Sequence, residues 1–314
     1  MIDTRALISV LKQNIATVIV GKDEAIELAL IALICKGHIL IEDVPGTGKT
    51  TMASALAKSL SCSFKRIQFT PDVVPSDITG FTSVNMRSGE LDFHEGSIMS
   101  QIVLADEINR TSPKTQASLL EAMEEYQVTV DGVTHPLPKP FMVLATQNPN
   151  EFMGTYPLPE AQLDRFFMRI NLGYPTVEEE IDVLNRYTGV NNPLATLQAV
   201  CNESDILQMQ NLIGNVYCSP EIKEYVARIA KATREHPLLQ LGCSTRAIIA
   251  LLKAGQACAI LDGRDYVLPD DIDGMVFPVL CHRMQATPDA KLKGYTTEHI
   301  MDEIMAHVQV PMRM

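Results

Sequence analysis

Two kinds of hydrophobic pattern divide the chain near residue 190. Before that point, short apolar runs such as residues 39–41, 102–105 and 141–145 alternate with longer segments whose apolar positions recur every three or four residues. Short apolar runs are typical of buried parallel strands, and the longer segments are typical of helices that cover them. The pattern predicts an α/β domain over residues 1–190, with a parallel sheet flanked by helices.

Beyond residue 190 no strand pattern appears. Apolar positions with helical spacing predict helices at residues 203–216, 220–235, 244–261, 269–282 and 297–307. The run from Gly189 to Pro193 combines glycine, asparagine and proline, and such a cluster marks a connection between domains. We therefore predict an all-helical second domain over residues 191–314.

Two segments of the first domain alternate polar and apolar residues around a turn signal. Residues 80–94 turn at 87–89, and residues 127–135 turn at Asp131-Gly132, a strong two-residue hairpin signal. Both segments predict β-hairpins, inserted between the elements that form the sheet. Such a hairpin is either a surface decoration or a contact site for a partner.

A glycine-rich turn joins the first apolar strand, residues 39–41, to an amphipathic helix. Backbone N–H groups converge at such a turn, and the helix N-terminus adds partial positive charge, so the turn predicts a phosphate-binding loop. The Lys49 ammonium is expected at the outer phosphates, and the Thr50 hydroxyl in the shell of a Mg²⁺ ion. The residues expected to bind nucleotide here are Pro45, Gly46, Thr47, Gly48, Lys49, Thr50 and Thr51.

Two further positions bear on this loop. The usual pattern has glycine where this chain has Asp43, so we expect Asp43 to adopt a backbone angle that glycine takes more easily. Upstream, Val20 and Gly21 form a turn where an adenine edge could meet backbone groups. A plain helix–helix turn explains Val20 and Gly21 equally well.

Polar side chains follow two of the buried strands. Asp106 and Glu107 end the strand at 102–105, and ligands of α/β sheets bind at the carboxyl ends of strands. Downstream of a phosphate loop, Asp106 is expected to bind Mg²⁺ and Glu107 to polarise the attacking water. The strand at 141–145 ends in residues 146–149, where an amide of Gln147 or Asn148 could contact the terminal phosphate and the water.

Composition narrows the classes of partner. The 314 residues carry a formal net charge of −12, which argues against a broad basic face for nucleic acid. The seven cysteines include no Cys-x-x-Cys pair, so neither a zinc site nor a disulfide framework is predicted. The sequence offers no signal-peptide pattern and no apolar run near the roughly 20 residues of a membrane span. We expect a soluble, cytoplasmic protein.

Together these motifs resemble the AAA+ ATPases and, among them, the MoxR family. The resemblance covers nearly the whole chain in the family's order. The matching segments are EDVPGTGKT at 42–50, LADEINR at 104–110, ATQNP at 145–149, LPEAQLDRF at 158–166 and STRA at 244–247. Asp43 is shared with that family, whereas Thr245 stands where the family often has proline.

The resemblance implies roles for named residues. Lys49 and Thr50 correspond to the Walker A motif and Asp106 and Glu107 to Walker B. Asn148, rather than Gln147, corresponds to sensor 1, the amide that contacts the γ-phosphate. Arg246 corresponds to sensor 2, reaching from the lid to the nucleotide. Arg165 corresponds to the arginine finger that acts on a neighbouring subunit's ATP, with Arg169 as the reserve candidate.

The resemblance also implies an architecture and an activity. It predicts a five-stranded parallel sheet, a helical lid, and a homo-oligomeric ring, commonly a hexamer, that hydrolyses ATP to ADP with Mg²⁺. Rings of this type remodel proteins, and MoxR members resemble chaperones that mature complexes containing von Willebrand factor A domains. Two other functions remain open: a DNA-acting motor or clamp-loader-like ATPase, and a nucleotide-gated assembly module with little turnover.

Overall fold

The computed structural model describes residues 4–148, 154–188 and 192–311. Within these ranges the chain forms eleven strands: β1 Ile39–Glu42, β2 Phe64–Gln68, β3 Gly80–Val84, β4 Leu91–Glu95, β5 Ile102–Asp106, β6 Gln127–Val130, β7 Val133–Pro136, β8 Met142–Gln147, β9 Met168–Ile170, β10 Leu239–Leu241 and β11 Gln285–Ala286. Five of them form a parallel sheet in the order β2-β5-β8-β1-β9. The predicted α/β fold with a five-stranded parallel sheet is confirmed.

The same ranges contain fourteen α-helices: α1 Thr4–Ala16, α2 Asp23–Ile34, α3 Lys49–Ser59, α4 Pro75–Thr79, α5 Pro113–Glu125, α6 Glu160–Leu163, α7 Val177–Tyr187, α8 Pro193–Thr196, α9 Glu203–Leu212, α10 Pro220–Glu235, α11 Thr245–Leu261, α12 Pro269–Leu280, α13 Pro288–Leu292 and α14 Thr297–His307. Short 3₁₀ turns follow β5, α9 and α12. No helix in the described ranges is both long and apolar enough to cross a bilayer.

The central strands bury side chains on both faces, and alternate residues belong to different cores. Ile39 and Ile41 of β1 pack with α1, α2 and α3, whereas Leu40 packs with α5 on the opposite face. The first of these cores continues into the second domain, where it includes Tyr225, Leu251 and many other lid residues. The lid therefore packs against the α1–α2 face of the sheet.

Both predicted hairpins are present. Strands β3 and β4 pair antiparallel, as do β6 and β7, and neither pair joins the central sheet. The rings of Phe93 in β4 and His135 in β7 stack with centroids 3.7 Å apart and an interplanar angle of 11°. The two insertions thus contact each other.

The lid is helical, as predicted, but it also contains a two-stranded ribbon formed by β10 and β11. These strands are only three and two residues long, too short for an alternating pattern to be recognised in the sequence. Part of the predicted domain boundary, residues 189–191, lies outside the described residues. Asn192 caps α8 by accepting a hydrogen bond from the Leu194 N–H.

Two elements before the domain boundary are short. Strand β9 ends at Ile170, and the Leu172 N–H beyond it donates to the Asp43 side chain instead of to a neighbouring strand. Helix α6 is limited to Glu160–Leu163, and the Phe166 side chain that follows is buried in the core on the α5 face of the sheet, while its carbonyl oxygen contacts His282 of the lid. Local periodicity cannot register such tertiary contacts.

Candidate functional site

The glycine-rich loop leads directly into helix α3, as the sequence predicts. Gly46 and Gly48 have φ of 88° and 89°, a left-handed conformation that strongly favours glycine, and α3 begins at Lys49. The Lys49 ammonium donates to the carbonyl oxygens of Asp43 and Val44, each at 2.9 Å. The loop and the start of α3 line a cavity of about 420 Å³.

The expectation for Asp43 is wrong. Its φ is not among the positive values, so the backbone takes no conformation that calls for glycine. Asp43 instead acts through its buried carboxylate, which accepts hydrogen bonds from the N–H groups of Val44 at 2.8 Å, Leu172 at 2.9 Å and Gly173 at 2.8 Å. The side chain thus ties the start of the glycine loop to the segment after β9.

Asp106 and Glu107 lie at the carboxyl end of β5, where they line the same cavity as Lys49 and Thr50. The Asp106 carboxylate is buried and accepts a hydrogen bond from the Thr146 hydroxyl at 2.6 Å. Glu107 has φ of 58°, an uncommon value outside glycine, and its N–H donates to the same hydroxyl at 2.9 Å. Thr146 therefore holds both acidic residues in place.

Two residues of β2 complete this cavity, and sequence reasoning missed both. Arg66 donates to Asp106, and the Gln68 amide donates to Oε2 of Glu107 at 2.8 Å. Strand β2 pairs with β5 in a register that sets Gln68 opposite Asp106. Arg66 and Gln68 are two residues apart in a strand and therefore share one face, but only the order of the strands reveals that this face meets the carboxylates.

The structure separates the two amide candidates at the end of β8. Asn148 lines the cavity with Lys49 and Glu107. The side chain of Gln147 instead donates to the Glu42 carboxylate. The geometry thus agrees with the choice of Asn148, while Pro149, the last residue of the motif, lies outside the described residues.

A second cavity, of about 550 Å³, lies between the first domain and the lid. Gly21 and Lys22 line it together with Leu28, Leu172 and Phe277. Val20, the other residue of the predicted adenine turn, is partly buried and does not line it. The cavity joins the turn to apolar side chains, which suits a flat aromatic base, and Glu42 on its wall is three residues from Pro45 of the glycine loop.

Arg169, the reserve finger candidate, belongs to this second cavity. Its guanidinium contacts the carboxylate of Glu42 at 3.0 Å and that of Glu298 at the start of α14. Arg169 therefore connects the residue that precedes the glycine loop to the lid. Both partners lie in its own chain.

Arg165 and Arg246 lie elsewhere, in a third cavity of about 380 Å³. Both contact the Glu124 carboxylate at the end of α5, Arg165 from Nε at 3.0 Å. Neither arginine lines the cavity of the glycine loop. Arg246 therefore does not reach the glycine-loop cavity of its own chain in this structure, because the lid packs against α1 and α2 and holds the start of α11 beside α5. Its role toward a nucleotide stays a prediction.

The third cavity is strongly basic. Lys36, Lys253 and Arg283 line it in addition to the two arginines, whereas only Glu124 and Asp164 contribute carboxylates. Burial lowers the pKa of Arg283 to about 10, although the nearby Asp164 opposes that shift. Apolar side chains of the lining include Met123, which is buried, and Ile249, which is half exposed.

Comparisons with known proteins identify the family of the chain. The family model described as "ATPase family associated with various cellular activities (AAA)" matches residues 38–168, and an AAA lid domain model matches residues 231–304. The "Uncharacterized protein YeaC" of Bacillus subtilis is 52% identical over 99% of this chain and 97% of its own. "Chaperone MoxR1" of Mycobacterium tuberculosis is 39% identical, covering 95% of this chain and 81% of its own.

A solved structure supports the same assignment. The crystal structure of a candidate ATPase from Cytophaga hutchinsonii superposes with a TM-score of 0.92 at 39% identity, covering 98% of this chain and 96% of that one. "Protein MoxR" of Paracoccus denitrificans is 30% identical over 86% of each chain. The chain therefore belongs to the MoxR family of AAA+ ATPases.

Proposed function

We propose that the protein hydrolyses ATP in a ring of identical subunits and uses the energy to remodel or mature client protein complexes. One observation carries this proposal. Lys49, Asp106, Glu107 and Asn148 line one cavity, whereas Arg165 and Arg246 lie together in another cavity of the same chain. A complete catalytic site then requires arginines from a second chain.

The nucleotide is bound by the glycine loop and the domain interface. The N–H groups of residues 46–51 and the partial charge of α3 attract the phosphates, and the Lys49 ammonium exchanges its two carbonyl partners for phosphate oxygens. The adenine occupies the cavity between Gly21 and the lid. The oxygens of Thr50 and Asp106 suit Mg²⁺, which when bound would neutralise phosphate charge.

Glu107 acts as the general base toward the attacking water. Its carboxylate is oriented by the Gln68 amide and by Arg110, whose Nε lies 3.3 Å from Oε2. Asn148 positions the water and the terminal phosphate. Replacing Glu107 by Gln should leave nucleotide binding near the parent value and reduce turnover by about 10² to 10⁴, the usual contribution of a general base.

Arg165 and Arg246 act on the ATP of the neighbouring subunit. Arginine fingers of this kind contribute roughly 10³ to 10⁵ in rate because they stabilise charge that develops on the transferred phosphoryl group. The shared carboxylate of Glu124 holds both guanidinium groups on one surface. Arg169 is the weaker candidate, since it bridges the two domains of its own chain.

The client and the ring size follow from family resemblance. We propose a hexamer, a cytoplasmic location and a client that carries a von Willebrand factor A domain. The two stacked hairpins are the proposed client-contacting elements, because they project apolar residues such as Met86, Leu91 and Val133 into solvent.

Mixing two inactive variants tests the shared site. Glu107→Gln subunits keep their arginines but lack the base, and Arg165→Ala subunits keep the base but lack the finger. If the site is shared, the mixture hydrolyses ATP although each variant alone does not. The double variant, mixed with Arg165→Ala, is the control and should stay inactive. If a mixture shown to co-assemble recovers no ATPase activity, the site is not shared.

A separate assay tests the alternative function. Stimulation of the ATPase activity by single-stranded DNA would favour a nucleic-acid motor.

A further inference from the structure

Helix α7 is docked with its apolar side outward. Val177, Ile181 and Leu184 follow helical spacing and form one stripe, and their exposed fractions are 67%, 53% and 62%. No residue of α7 is buried. We call these three residues the α7 stripe.

The polar side of α7 contacts the rest of the chain. Nη1 of Arg186 donates to the carbonyl oxygens of Ala16 at 2.9 Å and Thr17 at 2.7 Å, at the end of α1. The Glu179 side chain lies against Gly21, so closely that a Cβ on Gly21 would clash with its carboxylate. These contacts fix the helix in its orientation.

This orientation reverses the usual one. An amphipathic helix on a globular protein normally faces its apolar residues toward the core. A fixed helix that instead presents a contiguous apolar stripe to solvent marks a surface for association. The exposed carboxylates of Glu178 and Glu180 flank the stripe. Acidic flanks disfavour anionic lipid and nucleic acid as occupants.

The same chain offers a complementary surface in the third cavity. We call it the basic groove and define it by Lys36, Met123, Arg165, Arg246, Ile249 and Lys253. Ile249 is 51% exposed, and the five cationic side chains of the cavity outnumber its two carboxylates, Glu124 and Asp164, so the groove combines exposed apolar surface with an excess of positive charge. The α7 stripe pairs an apolar centre with negative edges.

We propose that the α7 stripe of one subunit packs into the basic groove of the next subunit. The proposal rests on the ring assembly of the proposed function and identifies its contact surfaces. Because stripe and groove are different surfaces of one chain, the contact is heterologous, and repetition of such a contact closes a ring when the rotation permits.

The contact would also place Arg165 and Arg246 near the nucleotide of the neighbouring subunit. Gly173, three residues before the cap of α7, donates to the Asp43 carboxylate at the start of the glycine loop. A groove that holds α7 therefore lies beside the loop that receives the phosphates. Arg165 and Arg246 are part of that groove.

Leu184→Glu tests the stripe, and Leu292→Glu on α13 is the matched control, because both leucines are exposed. We expect light scattering to detect oligomers of the parent and of Leu292→Glu with ATP and Mg²⁺, and at least tenfold weaker assembly of Leu184→Glu. A fluorescent ADP analogue should bind the Leu184→Glu monomer as it binds the parent. Unchanged assembly of Leu184→Glu would overturn the proposal. If the parent itself did not bind the ADP analogue, that result would instead count against the proposed function.

Cross-linking identifies the surface that receives the stripe. Ile181→Cys and Ile249→Cys are prepared separately, mixed, and treated with a short bis-maleimide. A cross-linked dimer that forms in the mixture, and in neither variant alone, supports the proposal. A dimer formed by Ile181→Cys alone would mean that two α7 stripes meet, and this result would overturn the proposal. No dimer in an assembled mixture also overturns it. The parent protein is the blank for reaction of the native cysteines. Burial raises the pKa of the half-buried thiols Cys62 and Cys258 to about 12, which lowers the fraction present as reactive thiolate.

Discussion

Arg66 donates two hydrogen bonds to a single oxygen of Asp106, from Nε at 3.1 Å and from Nη2 at 2.6 Å to Oδ2. The carboxylate that is proposed to hold Mg²⁺ thus already has a cationic partner within its own chain. Because Arg66 is almost half exposed, solvent weakens this pair, but the guanidinium still competes with a second cation for the same oxygen.

We therefore predict that Arg66→Gln lowers the Mg²⁺ concentration at which a fluorescent ADP analogue is half bound. Removal of a partly screened unit charge should shift this midpoint by about three- to tenfold. Arg87→Gln, in the exposed turn of the first hairpin, changes the net charge equally and should leave the midpoint unchanged. A higher midpoint for Arg66→Gln would mean that Arg66 assists binding of the metal or nucleotide.

Asp43→Ala should destabilise the protein and weaken nucleotide binding together. The substitution leaves the N–H groups of Val44 and Leu172 without an acceptor, and that of Leu172 is buried, so the free energy of unfolding should fall by about 2–4 kcal/mol. The Gly173 N–H keeps a second acceptor, Oδ1 of Asn171. Urea unfolding measures this change. Asp77→Ala removes a more exposed carboxylate that caps the Val74 N–H, and it should cost about 1 kcal/mol. An equal fall in the free energy of unfolding for Asp43→Ala and Asp77→Ala would contradict the role of the Asp43 carboxylate in tying the glycine loop to the segment after β9.

His38 should make stability depend on pH. Its ring is buried, contacts the Met123 carbonyl oxygen through Nε2 at 3.0 Å, and accepts the Val143 N–H at Nδ1 at 3.0 Å. Protonation at Nδ1 would break the second bond. Burial lowers the pKa of His38 from 6.5 to about 4, although the contact with Met123 opposes the shift. The unfolded chain therefore takes up the proton first as the pH falls.

Above pH 6.5 the stabilisation from His38 is complete, and it declines as the pH falls from 6.5 toward 4. The stability advantage of the parent over His38→Gln should shrink by about 2 kcal/mol between pH 7.5 and 5. Urea unfolding at several pH values measures both proteins, and parallel curves would contradict the assignment. Comparison with the variant removes the contribution of His282, whose pKa burial also lowers.

His135→Ala should uncouple the two hairpins. Loss of the stack with Phe93 removes about 0.5–1.5 kcal/mol, so amides of residues 91–95 should exchange hydrogen roughly two to ten times faster. Thr134→Ala alters the adjacent residue of β7, whose hydroxyl pairs with Thr129 within the same hairpin, and should leave exchange in β4 unchanged. Equal exchange in parent and His135→Ala would show that the hairpins are held by other contacts.

The sequence predicted the architecture and most of the first cavity because both depend on local patterns. Glycines at 46 and 48, a lysine at the helix start and two acids at a strand end are contiguous signals. Arg66 and Gln68 escaped notice because their role depends on which strand lies beside β5. That order is a property of the whole sheet and not of the β2 sequence.

The positions of Asp43 and Arg246 show a second limit of prediction from the sequence, which is that long-range contacts are not visible in local patterns. A motif comparison treats Asp43 as a replacement for glycine, whereas its carboxylate has contacts 129 and 130 residues away in the chain. The placement of Arg246 depends on how the lid packs, which arises from the combined apolar surfaces of many helices. Neither long-range arrangement leaves a periodic trace in the sequence.

The apolar core that continues from the sheet into the lid has a mechanical consequence. Rotation of the lid away from its own sheet would expose buried side chains of both domains and would separate Arg169 from Glu42 or Glu298. A rotation of that kind is far more costly than sliding at a boundary between chains. In the proposed ring, each subunit should therefore move as a single rigid block, so that the work of the proposed ATP hydrolysis would appear as displacement of one block against the next.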